Sequence, residues 1–434
     1  MDLEISGISS FGQGFALNKN TAENSKKHGK KIFVSGTIPG DKVTCQITKE
    51  NSKFIAAKLT KITSPSKHRS GAPCLHFENC GGCNLQHLKE DYYQEFKKKI
   101  LTDTLNRSKI DFSEEINWHF INKNSRRRVN FKIDQDNRLG FFRENSNDVV
   151  KIDQCLVLEK ELSDLIGNLQ NLLQKNQKQA KQQYQINGAS LTKFDNGVAV
   201  ILSGEINPDL ETSQDLIKFA QENKIISLAC KNNDEQTFFY QTQIPQLFFG
   251  DVKIDLQADI FMQATKDGQE IILKEINNHI ATLPKKIKIA DLYCGIGTYS
   301  FGILAQNKNV HIEAFEGSQK MINLLNKNAK QNTLKNHLNG NAKDLVQDPV
   351  QSGQFKDYDL AIINPPRNGG NAQIKNLAKS AVKNIIYASC NPAAFASDAK
   401  ILLENGYKIN KITAIDQFAY THHLELVAVF TKNT

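Results

Sequence analysis

Ile289-Ala290-Asp291-Leu292-Tyr293-Cys294-Gly295-Ile296-Gly297-Thr298 reads as an apolar strand that stops at a glycine turn, after which residues 299–304 can begin a helix. Glycines let the backbone approach a ligand where a Cβ would clash. Glu316 ends the next strand-like run, 21 residues after Gly295, close to the spacing at which an acid accepts hydrogen bonds from ribose hydroxyls. A third glycine at the dinucleotide spacing is missing, since residues 298–300 supply none, which argues against a pyrophosphate. The stretch points to an adenosine-containing cofactor, and S-adenosylmethionine fits better than a dinucleotide. The plainer alternative is a tight turn with no ligand.

Outward from this turn, residues 286–293, 310–315, 358–363 and 384–388 are apolar runs separated by helical stretches. Such alternation predicts a parallel sheet covered on both faces. Residues 411–416 and 424–431, joined by the polar stretch 420–423, read as an antiparallel hairpin finishing the sheet edge. Ligands of an open α/β sheet bind outside the carboxyl ends of its strands. Asn364-Pro365-Pro366-Arg367 and, 23 residues further on, Cys390 in Ser389-Cys390-Asn391-Pro392 would therefore face one crevice. Cys390 is a candidate nucleophile beside the cofactor; the alternative is a small buried hydrophobe.

At 434 residues the chain can hold roughly two or three domains. Residues 31–34, 42–48 and 53–59 alternate and are split by turn residues, the pattern of a small β-barrel, and 64–71 reads as a linker. Between 74 and 258 the signals mix: a helix near 88–105, strands around 127–134 and 139–143, a Gln-rich helix over 168–187, and strands at 189–203 and 237–240. The divisions are thus 1–66, 67–260 and 261–434. Residues 1–70 hold twelve Lys or Arg against five Asp or Glu, which favours a polyanion such as RNA as partner. Arg126-Arg127-Arg128 opens a strand containing Phe131, near Phe141 and Phe142, and suits a surface that neutralises phosphates while bases meet aromatics.

No signal-like apolar core stands at the N-terminus and no run approaches a membrane span, so a cytoplasmic protein with reduced thiols is expected. Cys74, Cys80 and Cys83 form a C-x5-C-x2-C run around Gly81-Gly82, and Cys155 follows with 71 residues between. Sulfur permits zinc or an iron-sulfur cluster, with His76 and His87 keeping zinc open. Cys45 and Cys230 sit in apolar runs and read as core.

Taken together these residues resemble the RNA uracil-5-methyltransferases, specifically the ribosomal-RNA branch with an N-terminal TRAM barrel and a [4Fe-4S] cluster. The resemblance runs end to end: residues 36–43 resemble the TRAM pattern, the four cysteines match the cluster spacing, 291–298 resembles the cofactor loop, and Ser389-Cys390-Asn391-Pro392 and His423-Leu424-Glu425 are similar to the catalytic motifs. It implies a multidomain protein: a TRAM/OB-like barrel, a mixed α+β central domain carrying the iron-sulfur site on Cys74, Cys80, Cys83 and Cys155, and a Rossmann-like α/β domain that uses S-adenosyl-L-methionine. The implied reaction is methylation of C5 of a uridine in 23S ribosomal RNA. Cys390 would attack C6, making C5 nucleophilic, and Glu425 would remove the C5 proton. A thiol with a pKa of about 8.5 is only a few per cent ionised at neutral pH, so the site must lower that pKa or take the proton on attack.

Cofactor contacts carry over onto Gln263, Tyr293, Gly295, Gly297, Thr298, Glu316, Asn341 and Asn364. Arg126, Arg127, Arg128 and Arg367 are candidate RNA contacts read from the residues alone, the alternative for the triplet being a solvated strand end. The family usually has Asp where this chain has Asn364, which loses a charge while keeping hydrogen-bonding capacity. A monomer without membrane contact is expected. Transfer RNA as substrate, an exocyclic amine as target, and a nonenzymatic RNA-binding protein are the alternatives.

Overall fold

The structure, a computed structural model, describes residues 1–18, 29–179, 185–206, 209–233 and 235–432, with the backbone alone at 176–179. It divides into two compact units: residues 1–102 with 140–152 and 418–422, and residues 103–139 with 153–417 and 423–434.

In the first unit a six-stranded sheet runs in the order Asp2–Glu4, Lys42–Glu50, Phe54–Ser64, Lys31–Val34, Gly14–Leu17, Gly7–Ile8. Its two edge strands are separated in the chain by Ile5 and Ser6 alone, so the sheet has to curl until its edges meet. That closure is the barrel that the alternating pattern predicted, with the three short N-terminal strands added. Ile5, Ile32, Val34, Val43, Cys45, Ile55 and Ala57 fill its interior.

Residues 64–71 are not a free linker. Buried Asp41 accepts the backbone N–H of Ile38 and of Ser66, 2.9 Å each, and the Arg69 guanidinium through Nε at 3.0 Å and Nη2 at 2.5 Å. Arg69 Nη2 also donates to Gly36 O at 2.7 Å, so the segment is clamped to the Gly36–Asp41 turn. Burial alone would raise the Asp41 pKa; Arg69 and the two amides outweigh it and hold the carboxyl below its usual value. The clamp was hidden in the sequence because it joins residues 28 apart. The helix Glu90–Arg107 begins in this unit, where Lys97, buried in its middle, donates to Thr421 O at 2.9 Å.

The second unit carries the strands Arg128–Ile133, Gln185–Phe194, Gly197–Glu205, Ile225–Asn232 and Glu235–Gln241, hydrogen-bonded in that order. The stretch read as one strand over 189–203 is a hairpin, pairing Leu191 with Val200 and turning at Gly197, whose φ of 151° suits glycine. The Gln-rich helix runs Lys160–Gln179; residues 180–184 of the expected 168–187 helix lie outside the described residues, and Gln185 already begins a strand.

An eight-stranded sheet completes this unit, in the order Leu338–Ala342, Val310–Glu316, Ile287–Leu292, Leu360–Ile363, Asn384–Ser389, Glu425–Lys432, Tyr407–Asp416, Asn117–Phe120. The first five strands are parallel: the four expected, and Leu338–Ala342, which the sequence reading did not include, at the edge. Ile289, Leu292, Ile312, Leu360, Ile362 and Ile386 are fully buried, because helices cover both faces and leave no polar side to alternate. The terminal hairpin does not finish the sheet: Glu425–Lys432 inserts beside Asn384–Ser389, and Asn117–Phe120 adds in parallel outside Tyr407–Asp416. That four-residue strand has partly buried Trp118 and Phe120 alternating with exposed Asn117 and His119, too short a pattern to separate from its polar surroundings. Among the described residues no helix is long and apolar enough to cross a membrane.

Candidate active site

The five parallel strands end along one edge of the sheet, and each delivers a residue singled out from the sequence: Asn341, Glu316, Tyr293, Asn364 and Cys390. After Leu292 the chain turns through three residues with positive φ, Tyr293 at 60°, Gly295 at 57° and Gly297 at 81°. A Cβ at Gly297 would lie 2.8 Å from Leu325, whereas one at Gly295 would meet nothing within 4 Å. Gly297 is therefore required by packing and backbone alike, and Gly295 leaves open space. The left-handed Tyr293 is a costly conformation for an aromatic residue, of the kind that collects at functional sites.

Gly295 N–H donates to Glu316 Oε2 and Ser318 N–H to Glu316 Oε1, both at 3.1 Å. The carboxylate is thus oriented with a lone pair left on each oxygen. Thr298 begins the helix Thr298–Gln306 that follows Gly297, directing a helix N-terminus toward the turn. Buried Asp291 accepts Ser300 Oγ at 2.6 Å on Oδ2, while its buried Oδ1 has no partner. Burial pushes the Asp291 carboxyl up to about 7 despite the Ser300 bond. Asn341 Nδ2 faces Ala314 O at 3.5 Å and Asn339 O at 3.4 Å.

On the next strands Cys390 is partly exposed, directly before the helix Pro392–Glu404, which Asn391 caps through Ala393 N–H at 3.1 Å. Asn391 Nδ2 also donates to Arg367 O at 3.0 Å, tying the residue after the thiol to the Asn364–Arg367 loop. Asp398 holds that loop from behind, accepting Gly370 N–H and Tyr387 OH at 2.7 Å each. The Cys390 thiol is raised above its usual pKa by burial and by Glu425, and Arg367 works in the opposite direction. Glu425 is 2 % exposed and accepts Gln417 Nε2 at 3.0 Å; burial, opposed by that bond, pushes its carboxyl up to about 7. Ser389, the residue before the thiol, pairs with Leu426, the residue after Glu425, so the thiol and the carboxyl follow from one register of neighbouring strands.

A family profile described as tRNA (Uracil-5-)-methyltransferase matches residues 92–433. The chain belongs to this family. A TRAM domain profile matches residues 1–60, the barrel. Among its relatives is a Shewanella halifaxensis protein named 23S rRNA (uracil(1939)-C(5))-methyltransferase RlmD, 30% identical over 99% of this chain and 95% of that protein. A Vibrio parahaemolyticus protein of the same name is 29% identical over 93% and 92%. The crystal structure of Pyrococcus abyssi tRNA (uracil-54, C5)-methyltransferase in complex with S-adenosyl-L-homocysteine has the same fold, with a TM-score of 0.75 at 23% identity, covering 99% of this chain and 100% of that one. The protein is an RNA uracil-5-methyltransferase.

Gln263 of this methyltransferase is no surface amide. It is 7 % exposed, its Nε2 donates to Tyr299 OH at 2.7 Å, and its Oε1 accepts Gln417 Nε2 at 3.0 Å. The arginine triplet splits. Arg127 is 2 % exposed and spends Nε on Gln263 O at 3.0 Å and Nη2 on Gln269 Oε1 at 2.6 Å, so it faces inward instead of toward RNA. Arg126 and Arg128 are partly exposed, with the Arg128 guanidinium 5.9 Å from the ring of Phe261, which is 64 % exposed. Arg367 is exposed, its Nη2 3.4 Å from His423 Nδ1.

Cys74, Cys80 and Cys83 belong to the first unit and Cys155 to the second, and all four are partly exposed. Gly82 N–H donates to Cys80 Sγ at 3.4 Å. Burial raises the Cys80 thiol, the Gly82 bond opposes it, and Cys74 adds to the rise. Among the described residues no group of three or more His, Cys, Asp or Glu is gathered to hold a metal ion. His87, the alternative zinc ligand, is buried with its ring 5.5 Å from that of Phe77. Cys45 and Cys230 are buried, as read.

Sequence reading missed Gln417, Tyr299, Thr265 and Asp398. Each acquires its place only through partners far along the chain, and none sits in a glycine, cysteine or proline signature.

Proposed function

We propose that this methyltransferase modifies C5 of one uridine in 23S ribosomal RNA, with Cys390 as nucleophile and Glu425 as the base. The observation that carries the reading is a strand register that pairs Ser389 with Leu426 and so brings a partly exposed thiol and a buried carboxyl to neighbouring strand ends. Relatives at about 30% identity that bear the 23S name support the choice of substrate.

S-adenosyl-L-methionine, when bound, supplies the methyl group as an electrophile. The residues fit it: open space at Gly295, an oriented Glu316 for ribose hydroxyls, and amides at Asn341 and Asn364 at the same strand ends; Gln263, buried with its amide committed to Tyr299 and Gln417, would act only from behind them. Asn364 keeps its hydrogen-bonding role without a negative charge. Cys390 forms a carbon–sulfur bond to C6, which places electron density on C5. Its thiol is made less acidic by burial and by the Glu425 carboxylate, so on attack the thiol proton leaves to solvent and Glu425 stays ionised for its later step. Arg367 offsets part of that penalty and favours the thiolate. After methylation Glu425 takes the C5 proton and the C6–sulfur bond breaks, returning the thiolate. A paired target base must first be flipped out, at a cost of a few kcal/mol.

The barrel offsets that cost. Between residues 30 and 61 it carries seven lysines and two acids, Asp41 and Glu50, and the acids are paired with Arg69 and Lys30. On its outward face Phe15, Phe33 and Phe54 line up with 5.9 Å between successive rings, and Lys31 Nζ lies 4.3 Å from the Phe15 ring. Alternate residues Ile32, Val34 and Ile55 point inward, so these rings are not core. Single-stranded RNA stacks on such surfaces. Phe33→Ser is expected to weaken RNA binding roughly tenfold, from ~1–3 kcal/mol per stacked base. Fluorescence anisotropy at fixed salt checks this, and unchanged affinity would remove the face from the binding surface.

The four cysteines hold a [4Fe-4S] cluster in this reading. Such a cluster would take Cys74, Cys80, Cys83 and Cys155 as its thiolate ligands, and the Gly82 N–H on the Cys80 sulfur would tune that ligand. Protein purified without oxygen is expected to contain iron and acid-labile sulfide, and Cys80→Ser to lose both; an iron-free wild type rejects the cluster.

The function itself is tested with RNA carrying 5-fluorouridine at the target. A covalent protein–RNA adduct through Cys390 is expected, because fluorine cannot be removed as a proton. Its absence rejects the thiol mechanism. Mapping 5-methyluridine in RNA from cells with and without the protein decides ribosomal against transfer RNA.

A further inference from the structure

Gln417 is 3 % exposed and both of its functional atoms are committed. Nε2 lies 3.0 Å from Glu425 Oε2 and 3.0 Å from Gln263 Oε1, two acceptors that use its two hydrogens. Oε1 lies 3.4 Å from Thr265 Oγ1. Thr265, fully buried, is the N-cap of the helix Lys266–Ile280 and accepts Gly268 N–H at 3.0 Å, so its hydroxyl hydrogen is free to point at Gln417 Oε1. The amide therefore has one workable orientation: reversed, its oxygen would face the oxygens of both Glu425 and Gln263. Packing adds a second constraint, since a Cβ at Gly268 would stand 2.5 Å from Gln417 Oε1. The third residue of this capped helix is small where the amide passes. The helix start is shaped around Gln417, at the cost of a poor helix former in its first turn.

We propose that Gln417 is the positioning residue of Glu425, and that Thr265 and Gly268 hold its amide so that an N–H fixes one carboxyl oxygen and leaves the other to collect the C5 proton. This rests on the reading of Glu425 as the base. Three consequences follow from the geometry. Loss of the N–H donor removes the one bond that opposes the burial-driven rise of the Glu425 pKa, so the carboxyl is protonated over a wider pH range. Proton removal from C5 slows, while attack of Cys390 on C6 does not need it. Methylated RNA then stays attached to the protein.

The test compares wild type with Gln417→Leu, Thr265→Val, Thr265→Ser and Gly268→Ala, using target RNA and, separately, its 5-fluorouridine analogue. The wild-type rate is expected to rise with pH through about 7 and then level. In Gln417→Leu and Thr265→Val that limb should move up by roughly one to two pH units, the worth of a hydrogen bond to a charged group. A methylated protein–RNA adduct should accumulate at neutral pH. Thr265→Ser keeps the hydroxyl and should retain the wild-type limb. Gly268→Ala displaces the amide, so it should shift the limb in the same direction, with a melting temperature lowered by the crowding of the buried site yet above the assay temperature. All variants should form the 5-fluorouridine adduct as wild type does. A wild-type limb and no accumulated adduct in both Gln417→Leu and Gly268→Ala overturn the positioning role. Failure of wild type itself to form the fluorinated adduct overturns the covalent mechanism beneath it, and is distinguishable because it precedes any variant.

Discussion

Cys390→Ala is expected to lower kcat for methyl transfer by roughly 10^4-fold or more, the scale on which removing a covalent nucleophile acts. The thiol is partly exposed at the end of Asn384–Ser389, so little packing is lost, and the melting temperature should stay within the shift produced by about 0.5 kcal/mol. Binding of S-adenosyl-L-methionine should persist, because Gly295, Glu316 and Asn341 stand on other strands. The combination of intact fold, intact cofactor binding and no turnover separates a nucleophile from a structural cysteine. Cys390→Ser is expected to behave the same way, since a hydroxyl of much higher pKa cannot supply an anion there. Retention of a tenth of wild-type activity in either variant would leave C5 activation to something other than this side chain and would favour an exocyclic amine as the methyl acceptor.

What the sequence disclosed and what it hid follow from how locally each feature is specified. The strand ends that carry Tyr293, Glu316, Asn364 and Cys390 were readable because buried parallel strands are continuous apolar runs, and the turn after Leu292 needs glycine at position 297. The barrel was readable from alternation, although its first three strands, two to four residues long, were not. Hidden features depend on pairs distant in the chain. Arg69 meets Asp41, Asn117–Phe120 meets Tyr407–Asp416, and Gln417 meets Gln263 across 154 residues. Arg127 is the instructive case: three consecutive arginines suggest a basic surface, yet strand geometry sends successive side chains to opposite faces, and the middle one is drawn inside by Gln263 O and Gln269. Glu425 owes its prominence in the sequence to family resemblance alone, and in the structure to its burial.

That burial makes Glu425→Gln the second large effect, with opposite signs in activity and stability. As the base, Glu425 must be ionised to accept the C5 proton, and its replacement is expected to cut turnover roughly 10^2- to 10^4-fold while the methylated covalent adduct accumulates. For stability, the folded carboxyl titrates at about 7 and the unfolded one at 4.5. A raised folded pKa means that the folded state holds its proton more tightly, so the contribution is fully present below about pH 4.5 and is lost as pH rises through 7. Above pH 7 the wild type carries a buried carboxylate, a penalty on the order of 3 kcal/mol at about 1.4 kcal/mol per unit. The amide of Glu425→Gln carries no charge at any pH and can still accept Gln417 N–H on its oxygen. The variant should therefore melt higher than wild type at pH 8, with the gap closing toward pH 4.5. Melting curves across that range decide it: a variant less stable than wild type at pH 8 would mean that the carboxylate is stabilised in the fold and that burial does not hold its proton.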